Sequence, residues 1–168
     1  MRYFIIISLL LSGCGTKLPP GMPKLYPAKL LITQDNAPLA KATVTVISSD
    51  AARPFNAGGQ TDENGALQLR TEGQYPGIPA GEYAVTVSKA EGPDLALPTV
   101  ANTDEEIAAY DKVVAEIVKN TFIVVDPKFS DIKTTPLKLE IKKGQNSITL
   151  DVSPKVKLKP PKAPPSKA

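Results

Sequence analysis

The chain contains no histidine, no tryptophan and a single cysteine among its 168 residues. Without His there is no Ser-His-Asp or Cys-His nucleophile pair, no imidazole base and no His-bound zinc. One Cys excludes an internal disulfide, a CxxC redox pair and a Cys-rich metal site. Aromatics are scarce at 5% of residues, which leaves little for a sugar-stacking platform. Carboxylate chemistry, hydroxyl or Lys chemistry and pure binding survive these exclusions. What the chain has in quantity is proline, 17 residues, and glycine, 11. Charged residues at 22% and hydrophobic residues at 42% suit a folded globular domain.

The lone cysteine closes the chain's one long apolar run. Met1-Arg2 is a short positive start, Tyr3 to Leu11 is apolar apart from Ser8, and Leu11-Ser12-Gly13-Cys14 follows. The run is shorter than the ~20 residues a spanning helix needs and matches the core of a signal peptide. Small residues at Ser12 and Gly13 suit a peptidase site, and Cys14 offers a thiol. This segment resembles the lipobox of bacterial lipoproteins. The resemblance implies cleavage after Gly13, acylation of Cys14 with palmitate or a similar chain, and attachment to a membrane without a spanning helix. Two or three acyl chains, each contributing ~0.8 kcal/mol per buried CH₂, hold a protein durably. Gly15 rather than Asp after Cys14 implies the outer membrane if the cell is Gram-negative.

Residues 14–27 carry Pro19, Pro20, Pro23 and Pro27 and read as a tether, extended at ~3.1 Å per residue. Residues 153–168 include five Lys and four Pro between Lys155 and Ala168, and read as a disordered tail. Residues 28–152 hold twelve Lys and Arg against all seventeen Asp and Glu, a formal charge of −5. The basic flanks alone make the whole chain positive. A basic nucleic-acid face is therefore excluded from the domain's expected partners, and no nucleic-acid motif is present.

The domain reads as short strands separated by turns. Lys29–Thr33 precedes the polar turn Gln34–Pro38, and Ala42–Ile47 alternates Thr with Val. Asp62-Glu63-Asn64-Gly65 is a tight turn before Ala66–Thr71. Pro79–Glu82 turns into Tyr83–Ser88, with Tyr83, Val85 and Val87 on one face. Leu137–Ile141 and Ile148–Val152 alternate strictly, and Lys143–Asn146 reads as the turn of a hairpin joining them. Thr103-Asp104-Glu105-Glu106 is a capping box, followed by Ile107, Tyr110, Val113, Val114 and Ile117 at helical spacing. A helix over 104–119 follows, its stripe expected to pack on the flank of the strands or to dock a partner. Strands of this length and spacing form an all-β sandwich.

Three motifs resemble the carboxypeptidase regulatory-like, or transthyretin-like, family: Pro38-Leu39-Ala40-Lys41-Ala42-Thr43-Val44, Thr61-Asp62-Glu63-Asn64-Gly65-Ala66-Leu67-Gln68-Leu69 and Pro79-Ala80-Gly81-Glu82-Tyr83-Ala84-Val85-Thr86-Val87. The resemblance implies a transthyretin-like (prealbumin-like) Greek-key sandwich over 28–152. It imports no peptidase activity, because that family's catalytic groups lie in a separate domain. Tyr83 is expected to bury its ring and cap a loop carbonyl with its hydroxyl. Related surface sandwiches make Lys-to-Asp isopeptide bonds, for which Lys29 and Asp151 are the available ends. The strand position of their assisting acid is held here by Val85, Thr86, Val87 and Ser88.

No metal, cofactor or catalytic residue is expected. Asp50, Asp62 and Glu63 do not have the spacing of an EF-hand loop. Glu82 and Glu140 lie on outward positions, without the cleft that glycoside hydrolysis needs. The expected function is a non-enzymatic, lipid-anchored module of the cell envelope, structural or protein-binding. The alternatives are a carbohydrate or small-ligand module, with Phe55 or Tyr75 as loop aromatics, and an accessory part of a transport or secretion assembly.

Overall fold

The computed structural model describes residues 18–50, 54–98 and 103–160. The lipobox residues Leu11, Ser12, Gly13 and Cys14 lie outside the described residues. The elements run β1 (Leu25–Tyr26), β2 (Ala28–Gln34), β3 (Ala37–Pro38), β4 (Thr43–Ser48), β5 (Asn56–Gln60), β6 (Ala66–Gln68) and β7 (Arg70–Thr71). They continue through β8 (Tyr75–Pro76), β9 (Ile78–Pro79), β10 (Gly81–Ser88), β11 (Ala90–Glu91), α1 (Asp104–Asn120), β12 (Phe122–Ile123), β13 (Lys138–Ile141) and β14 (Asn146–Asp151). This is the expected all-β sandwich with one inserted helix. One sheet has the order β13-β10-β4-β5-β7-β8; the facing sheet has β14-β2-β3, with β6 also paired to β2.

Period-2 alternation decides which side chains fill the space between the sheets. Leu30 and Ile32 enter from β2, Val44 and Val46 from β4, and Val85 and Val87 from β10, all essentially fully buried. Thr33, Thr43 and Thr45 take the opposite, outward positions. The polar turn after β2 is a two-residue hairpin in which Asp35 (φ 51°) and Asn36 (φ 63°) are both left-handed, as such turns demand. Gly65 has φ +70° and packs so closely that a Cβ would lie 2.6 Å from the Ile32 carbonyl oxygen. Among the described residues every buried polar side-chain atom has a hydrogen-bond partner. Thr61 Oγ1 donates to the Leu39 carbonyl (2.6 Å) and accepts from the Ala42 amide (2.9 Å).

The hairpin expected at Lys143–Asn146 is not one. β13 pairs antiparallel with β10, whereas β14 runs parallel to β2 in the facing sheet. The segment is thus a crossover between sheets. Asn146 builds it: its Oδ1 accepts from the Lys142 amide (2.9 Å), and its Nδ2 donates to the carbonyls of Lys142 (3.0 Å) and Gly144 (3.1 Å). Alternation reports which side chains face the core but not which sheet a strand joins, so the two cases read alike in sequence.

The folded region is longer at both ends than the sequence implies. Leu25–Tyr26, expected in the tether, pairs with Ile78–Pro79, and Tyr26 packs against the core. Residues 153–160, expected to be disordered, are bonded along their length. Lys155 donates its amide to Asp35, Val156 to the Val124 carbonyl, and Leu158 exchanges two bonds with Ile123. The unpaired edge of β12 recruits this segment, while Lys157 and Lys159 lay their ammonium groups over the Phe122 ring, 4.5 and 3.9 Å from its centroid.

Helix α1 begins at its capping box, with the Glu106 amide donating to Thr103 Oγ1 (3.4 Å) and Glu106 accepting from the Thr103 amide (3.3 Å). It ends where Thr121 turns extended and donates its hydroxyl to the Ile117 carbonyl (2.7 Å). None of its residues is buried. Tyr110, Val113, Val114 and Ile117 are half-buried and Ile107 is exposed. The stripe therefore does not enter the sandwich core. The helix departs on the two-residue β11–β12 ribbon, which holds it off the end of β10.

Candidate functional site

The two ends of the sandwich carry different chemistry. At the Gly81 end, a groove of about 480 Å³ lies between the start of β10, the end of β4 and β1. Tyr26, Phe55, Lys24, Asp50, Glu82 and the edge of Tyr83 line it. Gly77 makes its β1 wall possible. At φ +97° this residue passes so close to Tyr26 that a Cβ would stand 2.6 Å from the Tyr26 carbonyl oxygen. The Lys24 ammonium lies 5.6 Å from the Tyr26 ring centroid. Tyr83 is the floor: its ring is buried, and its hydroxyl donates to the Pro79 carbonyl at 2.8 Å. Burial pushes that phenol up to about 12. A neutral, hydrogen-bonded Tyr83 is therefore structural, and the rest of the groove's lining carries two aromatic faces, two carboxylates and one ammonium. That lining suits a ligand with apolar CH faces and polar edges.

At the Ser88 end, β11, β12 and residues 155–159 surround a smaller hollow of about 340 Å³ lined by Glu91, Phe122, Lys155 and Lys157. Glu91 ties it together, 2.9 Å from Lys89 and 3.1 Å from Lys155. The hydrogen bond from Lys89, with that from Lys155, outweighs partial burial and holds the Glu91 carboxyl below its ordinary value. On the outer face, the Asp151 carboxylate accepts from Thr33 Oγ1 (3.1 Å), Ser153 Oγ (2.9 Å) and the Ser153 amide (3.2 Å). Burial works to raise that carboxyl, but the Ser153 and Thr33 bonds prevail and lower it.

The acids weighed from sequence fall into three arrangements. Asp62 accepts from the amides of Asn64 (2.9 Å) and Ala66 (2.8 Å), shaping its turn, while Glu63 reaches Lys41 at 3.6 Å in open solvent. Among the described residues no three His, Cys, Asp or Glu side chains gather as a metal site would require. Glu82 and Glu140, separate in sequence, stand directly opposite each other on β10 and β13. Both are exposed, and Lys142 lies 3.7 Å from Glu140 to offset the like charges. Lys29 and Asp151 do not meet. Lys29 is opposite Ser147 and Asp151 opposite Thr33, four residues apart along the ladder, or ~13 Å. No isopeptide bond spans that separation.

Phe55 lines the groove, whereas Tyr75 lies in β8 and does not. Tyr26 was missed as a groove aromatic because its Pro-rich surroundings read as tether. Its sequence signal was the Leu-Tyr pair itself, two apolar residues in an otherwise unpackable segment.

No protein-family model matches the chain, and neither does any curated protein. Among the described residues no helix is long and apolar enough to cross a membrane.

Proposed function

We propose that this chain is a non-enzymatic lipoprotein of the bacterial cell envelope. Cys14 carries the acyl anchor, and a transthyretin-like sandwich serves as the interaction module. Three features of the folded region support membership of the transthyretin-like family. The turn at Asp62–Gly65, the Gly81 reversal and the Tyr83–Pro79 bond all occupy the motifs that carry the resemblance.

The observation that carries the interaction role is the position of α1 relative to the chain's entry into the sandwich. β1 is held beside Gly81, at the first residue of β10, and α1 leaves beyond Ser88, at the last. Seven strand steps of ~3.4 Å put these points about 24 Å apart. An anchor on the N-terminal side thus leaves α1 and its unburied stripe at the end away from the attachment. The test is Cys14→Ala in the intact cell. The variant is expected to lose radiolabelled palmitate and leave the membrane fraction, and undiminished membrane retention contradicts the anchor.

A second reading, binding of a carbohydrate or other small polar ligand, is favoured by the groove alone. Tyr26 and Phe55 would stack on CH faces while Glu82 accepts from hydroxyls. Phe55→Ala should then abolish retention on immobilised envelope polysaccharide. Equal retention of the variant removes this reading.

A further inference from the structure

We propose that α1 pairs antiparallel with α1 of a second copy of this chain. The proposal rests on reading α1 as the contact element and is independent of the anchor.

Ile107, Tyr110, Val114 and Ile117 are spaced i, i+3, i+7, i+10, the seam of a two-helix coiled coil. Val118 flanks the seam. Within the chain Ile107 is 46% and Val118 61% exposed, while Tyr110, Val114 and Ile117 are half-buried and none is fully covered. Leu95 and Leu97, in the connection leading to the helix, are exposed as well. Four of the large apolar side chains left in solvent thus belong to one insertion, and exposed apolar area of this kind signals a partner.

Charge selects the partner and its direction. The first turn is acidic, with Asp104, Glu105 and Glu106, and the last turn carries Lys119. Lys159 adds a second cation there by donating its ammonium to the Lys119 carbonyl. The helix is therefore acidic at its first turn, while Lys119 and Lys159 place two cations at its last, just beyond Glu116. A parallel pair would stack acid on acid, whereas an antiparallel pair sets each acidic turn against the basic end of the other copy. Such a contact is isologous and closes as a dimer. The seam is centred on Lys112, so Ile107 faces Ile117 of the second copy and Tyr110 faces Val114. From 107 to 117 it spans about 15 Å.

The test uses the full chain, co-expressed as two differently tagged variants, Ile107→Cys and Ile117→Cys, and oxidised in the intact cell. A disulfide needs Cα atoms within about 7 Å. The pair should yield a disulfide-linked mixed dimer, while either variant alone should stay unlinked because its own thiols lie ~15 Å apart along the axis. Adding Val114→Asp to both chains should cut the mixed dimer roughly tenfold. No mixed dimer, equal self-linking of Ile107→Cys, or a yield indifferent to Val114→Asp each overturns the proposal. The wild type, with Cys14 alone, separates the two readings: oxidative dimers there report a free Cys14 thiol and count against the anchor, not against helix pairing.

Discussion

The hydroxyl of Tyr83 donates a 2.8 Å hydrogen bond to the carbonyl of Pro79, four residues earlier in the chain. Both residues are buried, so the bond fixes the reversal at Gly81 and joins the groove floor to the β9 edge that holds β1. Tyr83→Phe keeps the ring and strands a buried carbonyl, a loss of about 1–3 kcal/mol. Urea unfolding of the two proteins measures it directly.

The burial of the same phenol has a signature in pH. The Tyr83 phenol is raised from 10.0 to about 12 by burial, so the folded state holds its proton more tightly than the unfolded state does. Its stabilising contribution is complete below pH 10 and is lost as pH rises toward 12. Ultraviolet titration should show one tyrosine ionising late, and Tyr83→Phe should remove that late step.

Asn146 supports the crossover between the sheets through three bonds to Lys142 and Gly144. Asn146→Ala removes the acceptor of the Lys142 amide and the donor to the Lys142 and Gly144 carbonyls, and the loss of these part-buried bonds should cost about 1–3 kcal/mol. Ser147→Ala, at the exposed neighbouring position, should shift the unfolding midpoint hardly at all. Equal effects would mean that the crossover does not depend on the Asn side chain.

Glu91 links Lys89 and Lys155 and is held below its ordinary carboxyl value by them. A depressed carboxyl stabilises above its unfolded value of 4.5 and loses that contribution as pH falls through the folded one. Hydrogen exchange at the Val156 and Leu158 amides should therefore speed up in Glu91→Gln at neutral pH. In the wild type it should gain on the core amides only under acid conditions.

Gly77 is the residue on which the groove wall depends. Gly77→Ala demands φ +97° of an L side chain and drives its Cβ to 2.6 Å from the Tyr26 carbonyl oxygen. Strain of about 1–3 kcal/mol should detach β1 before the sandwich melts. Limited proteolysis should then cut between Lys24 and Ala28 in the variant and spare the wild type.

These residues also mark how far the sequence carries the structure. Local rules were legible: the capping box at Thr103, the left-handed turn residues and the Tyr83 bond each depend on neighbours a few positions away. The β10 and β4 faces were legible because a sheet buried on one side must alternate. What eluded the sequence depends on distant partners. The sheet that β14 joins is settled across more than a hundred residues, where it meets β2, and that of β13 by its pairing with β10. The anchoring of residues 153–160 comes from an edge at Phe122–Ile123 and from the ring under Lys157 and Lys159. The groove was illegible for the same reason, since Tyr26, Phe55 and Glu82 converge only through the β1–β9 and β4–β10 pairings.

The central claim is that Cys14 anchors the protein. Intact-mass and peptide analysis of the protein purified from its own membrane tests it most directly. The account predicts a mature chain that begins at Cys14, lacks residues 1–13 and carries the added mass of two or three acyl chains on that residue. A chain that retains Met1, or one that begins at another residue with Cys14 unmodified, contradicts it.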